Sequence, residues 1–230
     1  MPEPLNIGLL LFPRLTQLDL TGPYEVFSRL PSVRVRLLWK TLEPVRADTG
    51  IGMLPDTTLA DCPPLDLVCV PGGPGVAALM EDTEVLDFLR RQAAGARYVT
   101  SVCTGALVLG AAGLLRGKQA TTHWASHDFL STLGATPAKG RVVRDGDLFT
   151  GGGVTAGIDF ALAIAAEVAG PEAAQAIQLQ IEYAPAPRFS AGTPETAPAG
   201  VLDAARTRGA ATRAERETLV ARVAARLAAA

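Results

Sequence analysis

Short apolar segments alternate with helical patterns along most of this chain. Residues rich in Val, Leu, Ile and aromatic side chains predict buried strands at residues 6–12, 33–39, 67–70 and 98–102. Between the last two strands, residues 83–94 have the period of an amphipathic helix, with Val85, Leu86 and Leu89 on one face. Strands that alternate with helices predict an α/β fold with a mostly parallel sheet covered on both faces.

The second half of the chain continues the alternation with smaller side chains. Asp145-Gly146 lies between two short apolar runs, a strong signal for a hairpin of strands at residues 142–144 and 148–150. Pro23 is placed as an early residue of a helix that continues to residue 30. Further helices are predicted at residues 105–112, 126–133, 156–168 and 172–181.

The last part of the chain has a different composition. Residues 183–199 are rich in Pro, Ala and Thr and predict an extended arm. Residues 201–230 are rich in Ala and Arg, and their apolar positions have the spacing of a helix that docks on the domain or on a partner. We therefore predict a catalytic domain at residues 1–190 and an arm with a helix at 191–230. Because these last segments have few local partners, we also expect a homodimer.

Charge and cysteine content narrow the function classes. The 21 basic and 23 acidic residues are nearly balanced, so neither nucleic acid nor a membrane surface is an expected partner. Three cysteines without paired spacing do not indicate a disulfide framework, and a reducing compartment fits better. The first four residues carry no basic charge, and no apolar run approaches the roughly 20 residues of a membrane span. The expected location is the cytoplasm.

Cys103 is the sharpest chemical signal in the sequence. It ends a predicted strand and opens a helix, with the small residues Ser101 and Gly105 on either side, as in a nucleophile elbow. A thiol at a helix start is expected to have a lowered pKa and to favour the thiolate. The alternative is a buried core cysteine. Cys69 is expected to be core and Cys62 incidental.

Two further loops follow predicted strands and so belong to the same edge of the sheet. The loop with Gly72 and Gly73 offers backbone N–H groups to an anion or to a developing negative charge, although a plain tight turn fits equally. Asp19 lies between two leucines after the first strand. It is either a helix cap, which the sequence favours, or a buried catalytic acid.

The two histidines, His123 and His127, are four residues apart. That spacing occurs in metal sites, but no adjacent Glu and no third ligand accompany it, so no metal is expected. His123 either approaches the thiol of Cys103 or is a structural histidine.

Taken together, these segments resemble the ThiJ/PfpI superfamily. The resemblance covers roughly residues 5–190. The extension at residues 201–230 has no counterpart in the family pattern. The segments that carry it are Asp19-Leu20-Thr21-Gly22-Pro23, Pro71-Gly72-Gly73-Pro74-Gly75, Cys103-Thr104-Gly105-Ala106, Ala120-Thr121-Thr122-His123-Trp124 and Thr150-Gly151-Gly152-Gly153-Val154.

The resemblance implies a flavodoxin-like, doubly wound domain, usually dimeric, with Cys103 as nucleophile and Asp19 as its acidic partner. Protease-like members have His directly after the cysteine, and Thr104 argues against that activity. The branch with Asp at the acidic position hydrates isonitriles to formamides without a metal or an organic cofactor. The remaining expected site residues, for oxyanion and substrate binding, are Gly72, Gly73, Thr104, His123, Gly153 and Val154.

Three alternatives remain open on the sequence. One is another activity of the superfamily, such as glyoxalase-like chemistry on small aldehydes. A second is the ligand-sensing domain of an AraC-type regulator, for which the tail is too short to add a helix-turn-helix domain. A third is a redox-sensing or chaperone-like protein that uses oxidation of Cys103.

Overall fold

The computed structural model describes residues 4–229. Residues 1–3 of the predicted catalytic domain and residue 230 of the predicted C-terminal segment lie outside this range. The strands are β1 Leu5–Leu10, β2 Val33–Trp39, β3 Val45–Arg46, β4 Gly52–Met53, β5 Thr57–Thr58, β6 Leu67–Val70, β7 Tyr98–Val102, β8 Gln119–Ala120, β9 Thr136–Pro137, β10 Val142–Asp145 and β11 Leu148–Gly151.

Seven of these strands form the central sheet of the described chain, in the order β10-β11-β7-β6-β1-β2-β5. Every neighbouring pair is parallel except β10 and β11, which form an antiparallel hairpin. The inner strands β6 and β7 are buried at every position. Burial on both faces explains why the sequences of β6 and β7 are mostly apolar at consecutive positions instead of alternating between apolar and polar residues. The predicted mostly parallel sheet is confirmed.

Helices cover both faces of the sheet. They are α1 Gln17–Phe27, α2 Val76–Leu79, α3 Thr83–Ala93, α4 Gly105–Ala111, α5 Phe129–Thr132, α6 Ala156–Ala169, α7 Pro171–Gln180 and α8 Ala199–Ala228, with a 3-10 turn at Trp124–Ser126. α1 packs against α6, and the rings of Phe27 and Phe160 meet edge to face, 6.2 Å between centroids. α3 and α4 lie over β6 and β7.

Two predicted helices differ from the observed ones. The first begins at Gln17 rather than near Pro23, so Asp19 lies inside a helix and not in a loop. Pro23 sits within α1, where its ring meets Gly157 of α6. The predicted helix at 126–133 is split into the 3-10 turn and the short helix α5. Short polar residues at the split, Ser126 and Asp128, have weak helix propensity and compete for backbone hydrogen bonds.

The C-terminal helix α8 packs on its own chain. Leu219, Val220 and Val223 are buried and belong to the main apolar core. Near the middle of α8, Arg213 donates to the Ala125 carbonyl at 2.7 Å, and near its C-terminal end Arg226 donates to the Met80 carbonyl at 2.9 Å. The arm that precedes α8 has no helix or strand. No helix within residues 4–229 is both long enough and apolar enough to cross a membrane.

Candidate active site

The carboxyl ends of β6, β7 and β11 meet at one edge of the sheet, as parallel strands require. Gly72 and Gly73 follow β6, Cys103 and Thr104 follow β7, and Gly152 and Gly153 follow β11. The first turn of α1 brings Asp19 to the same edge.

Cys103 has a backbone conformation that is rare for a side-chain-bearing residue. Its φ is 54°, in the left-handed region, between the end of β7 and the start of α4. Such strain persists only where the surroundings hold it. The Cys103 N–H donates to the carbonyls of Gly151 (3.0 Å) and Gly152 (2.8 Å), and its carbonyl accepts from the Thr122 hydroxyl at 2.7 Å. The predicted strand-to-helix elbow is therefore confirmed.

The elbow needs a glycine after the nucleophile for a steric reason. A Cβ on Gly105 would collide with the carbonyl oxygen of Val70 in β6. The absence of a side chain lets α4 start directly against the neighbouring strand. The same packing leaves the side chain of Cys103 only 5% exposed.

Asp19 is fully buried beside this elbow. Its Oδ2 accepts a hydrogen bond from the Gly72 N–H at 2.9 Å, while Oδ1 has no partner of good geometry among the residues described. Burial raises the pKa of Asp19 to about 7, and interactions with the Cys103 thiol and the Gly72 amide offset part of the effect. A pKa of about 7 leaves this carboxyl partly protonated at neutral pH.

The helix-cap interpretation of Asp19 is wrong. Thr16 occupies the cap position, and Asp19 lies within the first turn of α1 with its carboxyl turned to a loop 53 residues away in sequence. A cap would place its oxygen on an N–H of its own helix. The buried contact with Gly72 instead leaves the carboxyl beside the thiol of Cys103.

The expected pKa shift of Cys103 is also wrong in direction. Burial and the negative charge of Asp19 raise the thiol pKa well above its ordinary value, and they outweigh hydrogen bonds from the Thr104 amide and hydroxyl. Two acids this close titrate as a unit. Once the pair has lost one proton, the remaining proton lies either on sulfur or on the carboxyl.

Gly72, Gly73 and Thr104 form one closely packed group around Asp19. A Cβ on Gly72 would lie 2.6 Å from the Thr104 nitrogen and 2.7 Å from Asp19 Oδ2, so only glycine fits there. The Gly73 N–H, which we expected to be free for an oxyanion, donates to Thr104 Oγ1 at 3.0 Å. In this structure Gly73 therefore holds the threonine in place.

His123 caps the 3-10 turn that follows β8. Its Nδ1 accepts from the Ala125 N–H at 3.3 Å, and its ring faces Gly153. Burial and the positive charge of Arg216 lower its pKa, so it is a neutral imidazole with the proton on Nε2. Val154 is half-buried in the turn before α6.

The remaining histidine and cysteines have structural surroundings. His127 Nε2 contacts the Ala138 carbonyl at 3.1 Å, away from His123, and residues 4–229 contain no His, Cys, Asp and Glu cluster able to hold a metal ion. Burial raises the thiol pKa of Cys69 to about 12 and that of Cys62 to about 11. Cys69 is fully buried in β6, as expected for a core cysteine.

One neighbour of the site has no counterpart in the sequence analysis. Arg216 of α8 reaches the Ser126 hydroxyl in the 3-10 turn after His123, with Nη1 and Oγ 2.9 Å apart. Its only sequence signal is membership of an Ala/Arg-rich helix, and that composition does not distinguish it from the other arginines of the helix.

Comparison with known proteins gives close relatives over nearly the whole chain. A sequence model of the DJ-1/PfpI family matches residues 6–167. The chain is 63% identical over 223 residues to the isonitrile hydratase of Pseudomonas putida, covering 97% of this chain and 98% of that one. The crystal structure of a ThiJ/PfpI family protein from Pseudomonas syringae matches with a TM-score of 0.92 and 42% identity, over 94% of this chain and 90% of that chain. Drosophila melanogaster DJ-1beta matches with a TM-score of 0.71 and 29% identity, over 79% of this chain and 100% of that chain.

Proposed function

The chain belongs to the DJ-1/PfpI family, and we propose that it is an enzyme that hydrates isonitriles to N-substituted formamides, with Cys103 as nucleophile and Asp19 as acid and base. One observation carries the proposal: a strained Cys103 lies beside a fully buried carboxyl whose pKa is raised to about 7. The near full-length likeness to an isonitrile hydratase supports the substrate class.

The chemistry requires a nucleophile and a proton at the same carbon. In the reactive form of the pair, Cys103 is a thiolate and Asp19 a carboxylic acid. The sulfur attacks the terminal carbon of R–NC, and Asp19 delivers its proton to that carbon. The product is a thioimidate, R–N=CH–S–Cys103, with Asp19 left as a carboxylate. A general acid placed this way contributes about 10²–10⁴-fold to the rate.

Water completes the reaction, and Asp19 reverses its role. The carboxylate takes a proton from water as the oxygen adds to the thioimidate carbon, and this proton passes to nitrogen. The tetrahedral intermediate then collapses to R–NH–CHO. Its hydroxyl proton returns to Asp19, and Cys103 leaves as thiolate. The amide of Thr104, which already interacts with the sulfur, is the donor we assign to the developing negative charge on oxygen.

We assign supporting roles to the other predicted site residues. Gly72 holds Asp19 through its N–H, and Gly73 holds Thr104 through its own. Gly153 leaves room for the neutral ring of His123, which would pack against the substrate rather than transfer a proton. Val154 is half-buried in the turn before α6, and we assign it to an apolar contact with the substrate.

We also propose a homodimer that works in the cytoplasm. The large apolar side chains of Leu179, Phe189 and Val201 are 82%, 74% and 54% exposed, on or beside the arm between α7 and α8. A second copy of this chain would cover such side chains. The nucleophile must remain a free thiol, and all three cysteines are free, which favours a reducing compartment.

Incubation of the purified protein with a simple alkyl isonitrile tests the activity. The wild type should consume the isonitrile and release the N-alkylformamide, detected by mass spectrometry. Cys103→Ala should release none, while Cys69→Ala, which removes a core thiol, should keep turnover. Formamide release by Cys103→Ala would contradict the nucleophile assignment. Consumption of methylglyoxal but not of the isonitrile by the wild type would replace the proposed activity with a glyoxalase-like one.

A further inference from the structure

Arg216 links the C-terminal helix to the active-site edge. Its Nη1 donates to the hydroxyl of Ser126, a residue that is fully buried. Its Nε is also buried and has no hydrogen-bond partner within residues 4–229. The helix packs on the 3-10 turn that contains Ser126, so the guanidinium is held between α8 and the segment that leads away from His123.

The arginine lacks the counterion that neighbouring arginines have. Arg213 pairs with Asp128 at 2.6 Å, and Arg222 pairs with Glu81 at 3.0 Å. No carboxylate of the described chain lies within ion-pair distance of Arg216. Arg216 is half-buried. Removing a cation from water without a partner costs free energy, so a positive charge retained in such a place calls for negative charge close by.

The group of opposite charge that acts on Arg216 is a Cys103 thiolate. Thr122, four residues before Ser126, donates to the Cys103 carbonyl at 2.7 Å. The segment 122–126 therefore contacts Cys103 at one end and the Arg216 guanidinium at the other. Burial lowers the pKa of Arg216, and a Cys103 thiolate raises it. An electrostatic interaction is mutual, so the guanidinium favours the thiolate, against the larger opposing effects of burial and Asp19. The groups that act on Asp19 are Cys103, Gly72 and Asp48.

We propose that Arg216 is a positioning residue whose charge draws the proton shared by Cys103 and Asp19 onto the carboxyl. Both forms of the pair carry one negative charge, so the step only moves a proton from sulfur to oxygen. It creates the thiolate and the carboxylic acid that the hydration needs together. The inference rests on the proposed role of Cys103, and it assigns the C-terminal helix, beyond the matched family segment, to the catalytic machinery.

Other titratable and charged groups near Cys103 and Asp19 also affect how the two side chains titrate. Asp19 acts on the thiol from α1, and Asp48 acts on Asp19 from the loop before β4. His123 is neutral, and Arg213 disfavours the charge of Arg216 from one turn away on α8. None of them supplies positive charge to the sulfur.

Alkylation of Cys103 tests the inference without an isonitrile. The rate with iodoacetamide is measured from pH 5 to 10, and peptide mapping assigns the label to Cys103. Arg216→Gln should slow labelling at pH 7 about tenfold and move the midpoint up by about one pH unit. The ratio of the iodoacetate rate to the iodoacetamide rate should also fall. Iodoacetate is negatively charged, and the variant lacks the positive charge that attracts it to the site. Arg216→Lys keeps the positive charge and should recover most of the wild-type labelling rate, midpoint and reagent ratio.

Arg222→Gln is the matched control, because it removes an arginine of the same helix that pairs with Glu81 instead. Cys103 in this variant should be alkylated at the wild-type rate across the pH range.

If circular dichroism shows that Arg216→Gln does not fold, Ser126→Ala becomes the deciding variant. It removes the hydrogen bond that holds the guanidinium and should slow alkylation by a smaller factor. A wild-type pH profile and reagent ratio in Arg216→Gln, or in Ser126→Ala where that variant decides, would overturn the inference. Isonitrile turnover measured in parallel keeps the two proposals separate, because the alkylation shift can hold even where no formamide forms.

Discussion

Asp19 combines two properties that oppose each other in an ordinary carboxyl. It is fully buried, yet one oxygen has no hydrogen-bond partner of good geometry in the part of the chain described. An unsatisfied buried oxygen destabilises the fold, and in native proteins such atoms concentrate at functional sites. Here the unsatisfied carboxyl lies beside the thiol, where it can hold or release a proton as the sulfur reacts.

Replacing Asp19 separates acid catalysis from a structural role. Asp19→Asn keeps the size of the side chain and can still accept from the Gly72 N–H, but it has no acidic proton. Formamide production should fall at least about a hundredfold. Asp19→Glu should keep partial activity, because the acid survives but is displaced by one methylene. Near wild-type turnover by a folded Asp19→Asn enzyme would remove the acid assignment.

The same substitution also tests the raised pKa through stability. Between pH 3.8 and about 7 the unfolded chain releases the Asp19 proton while the folded chain keeps it, so the stability of the wild type falls as pH rises through this window. Asn carries no such proton. Asp19→Asn should therefore be more stable than the wild type by an amount that grows by about 2–3 kcal/mol from pH 5 to pH 8. Chemical denaturation at both pH values measures it, and an equal difference at the two would refute the raised pKa.

At the scale of elements, α8 is joined to the domain by two kinds of contact. Its apolar face supplies Leu219, Val220 and Val223 to the main core. Its arginines reach outward to backbone carbonyls and carboxylates of other elements, as in the bonds from Arg213 to Ala125 and from Arg226 to Met80. The Ala-rich composition lets the helix approach closely, and the long arginine side chains span the remaining distance.

If α8 is part of one cooperative unit, a cavity under it should destabilise the whole domain. Leu219→Ala removes a side chain that is 6% exposed and should lower the free energy of unfolding by about 2–4 kcal/mol. Thr212→Ala, at an exposed position of the same helix outside the proposed dimer surface, is the control and should change it by less than about 0.5 kcal/mol. Two separate thermal transitions, with only the smaller one shifted by Leu219→Ala, would instead indicate an independent appendage.

At the scale of the whole molecule, the exposed apolar side chains near the arm predict assembly. Light scattering of the wild type should give the mass of two chains. Introducing charge at this surface with Leu179→Glu and Phe189→Glu together should give a monomer, because a carboxylate is costly to bury without a partner. Leu54→Glu adds charge at another exposed leucine and should leave the dimer intact. A monomeric wild type would reject the dimer, and a dimeric double variant would move the interface elsewhere.

Much of the fold follows from local pattern. Runs at residues 33–39, 67–70 and 98–102 match strands β2, β6 and β7 at both ends. The hairpin around Asp145-Gly146 was equally visible, because Gly146 adopts the positive φ of 63° that the turn requires. Cys103 was recognisable from its neighbours, since a strained strand-to-helix turn demands small residues at fixed positions. These features are short-range, and short-range sterics and burial leave their mark on neighbouring residues.

The chemical state of the site depends on contacts that no local pattern records. Asp19 meets Gly72 across 53 residues, Thr122 meets Cys103 across 19, and Arg216 meets Ser126 across 90. A helix start predicts a lower pKa for Cys103, but the chain path buries the thiol beside a carboxyl and reverses the sign. Desolvation and charge act through space rather than along the chain. The amino-acid pattern therefore identified which residues carry chemistry, and only the packing of distant segments decided which of them share a proton and which charge acts on it.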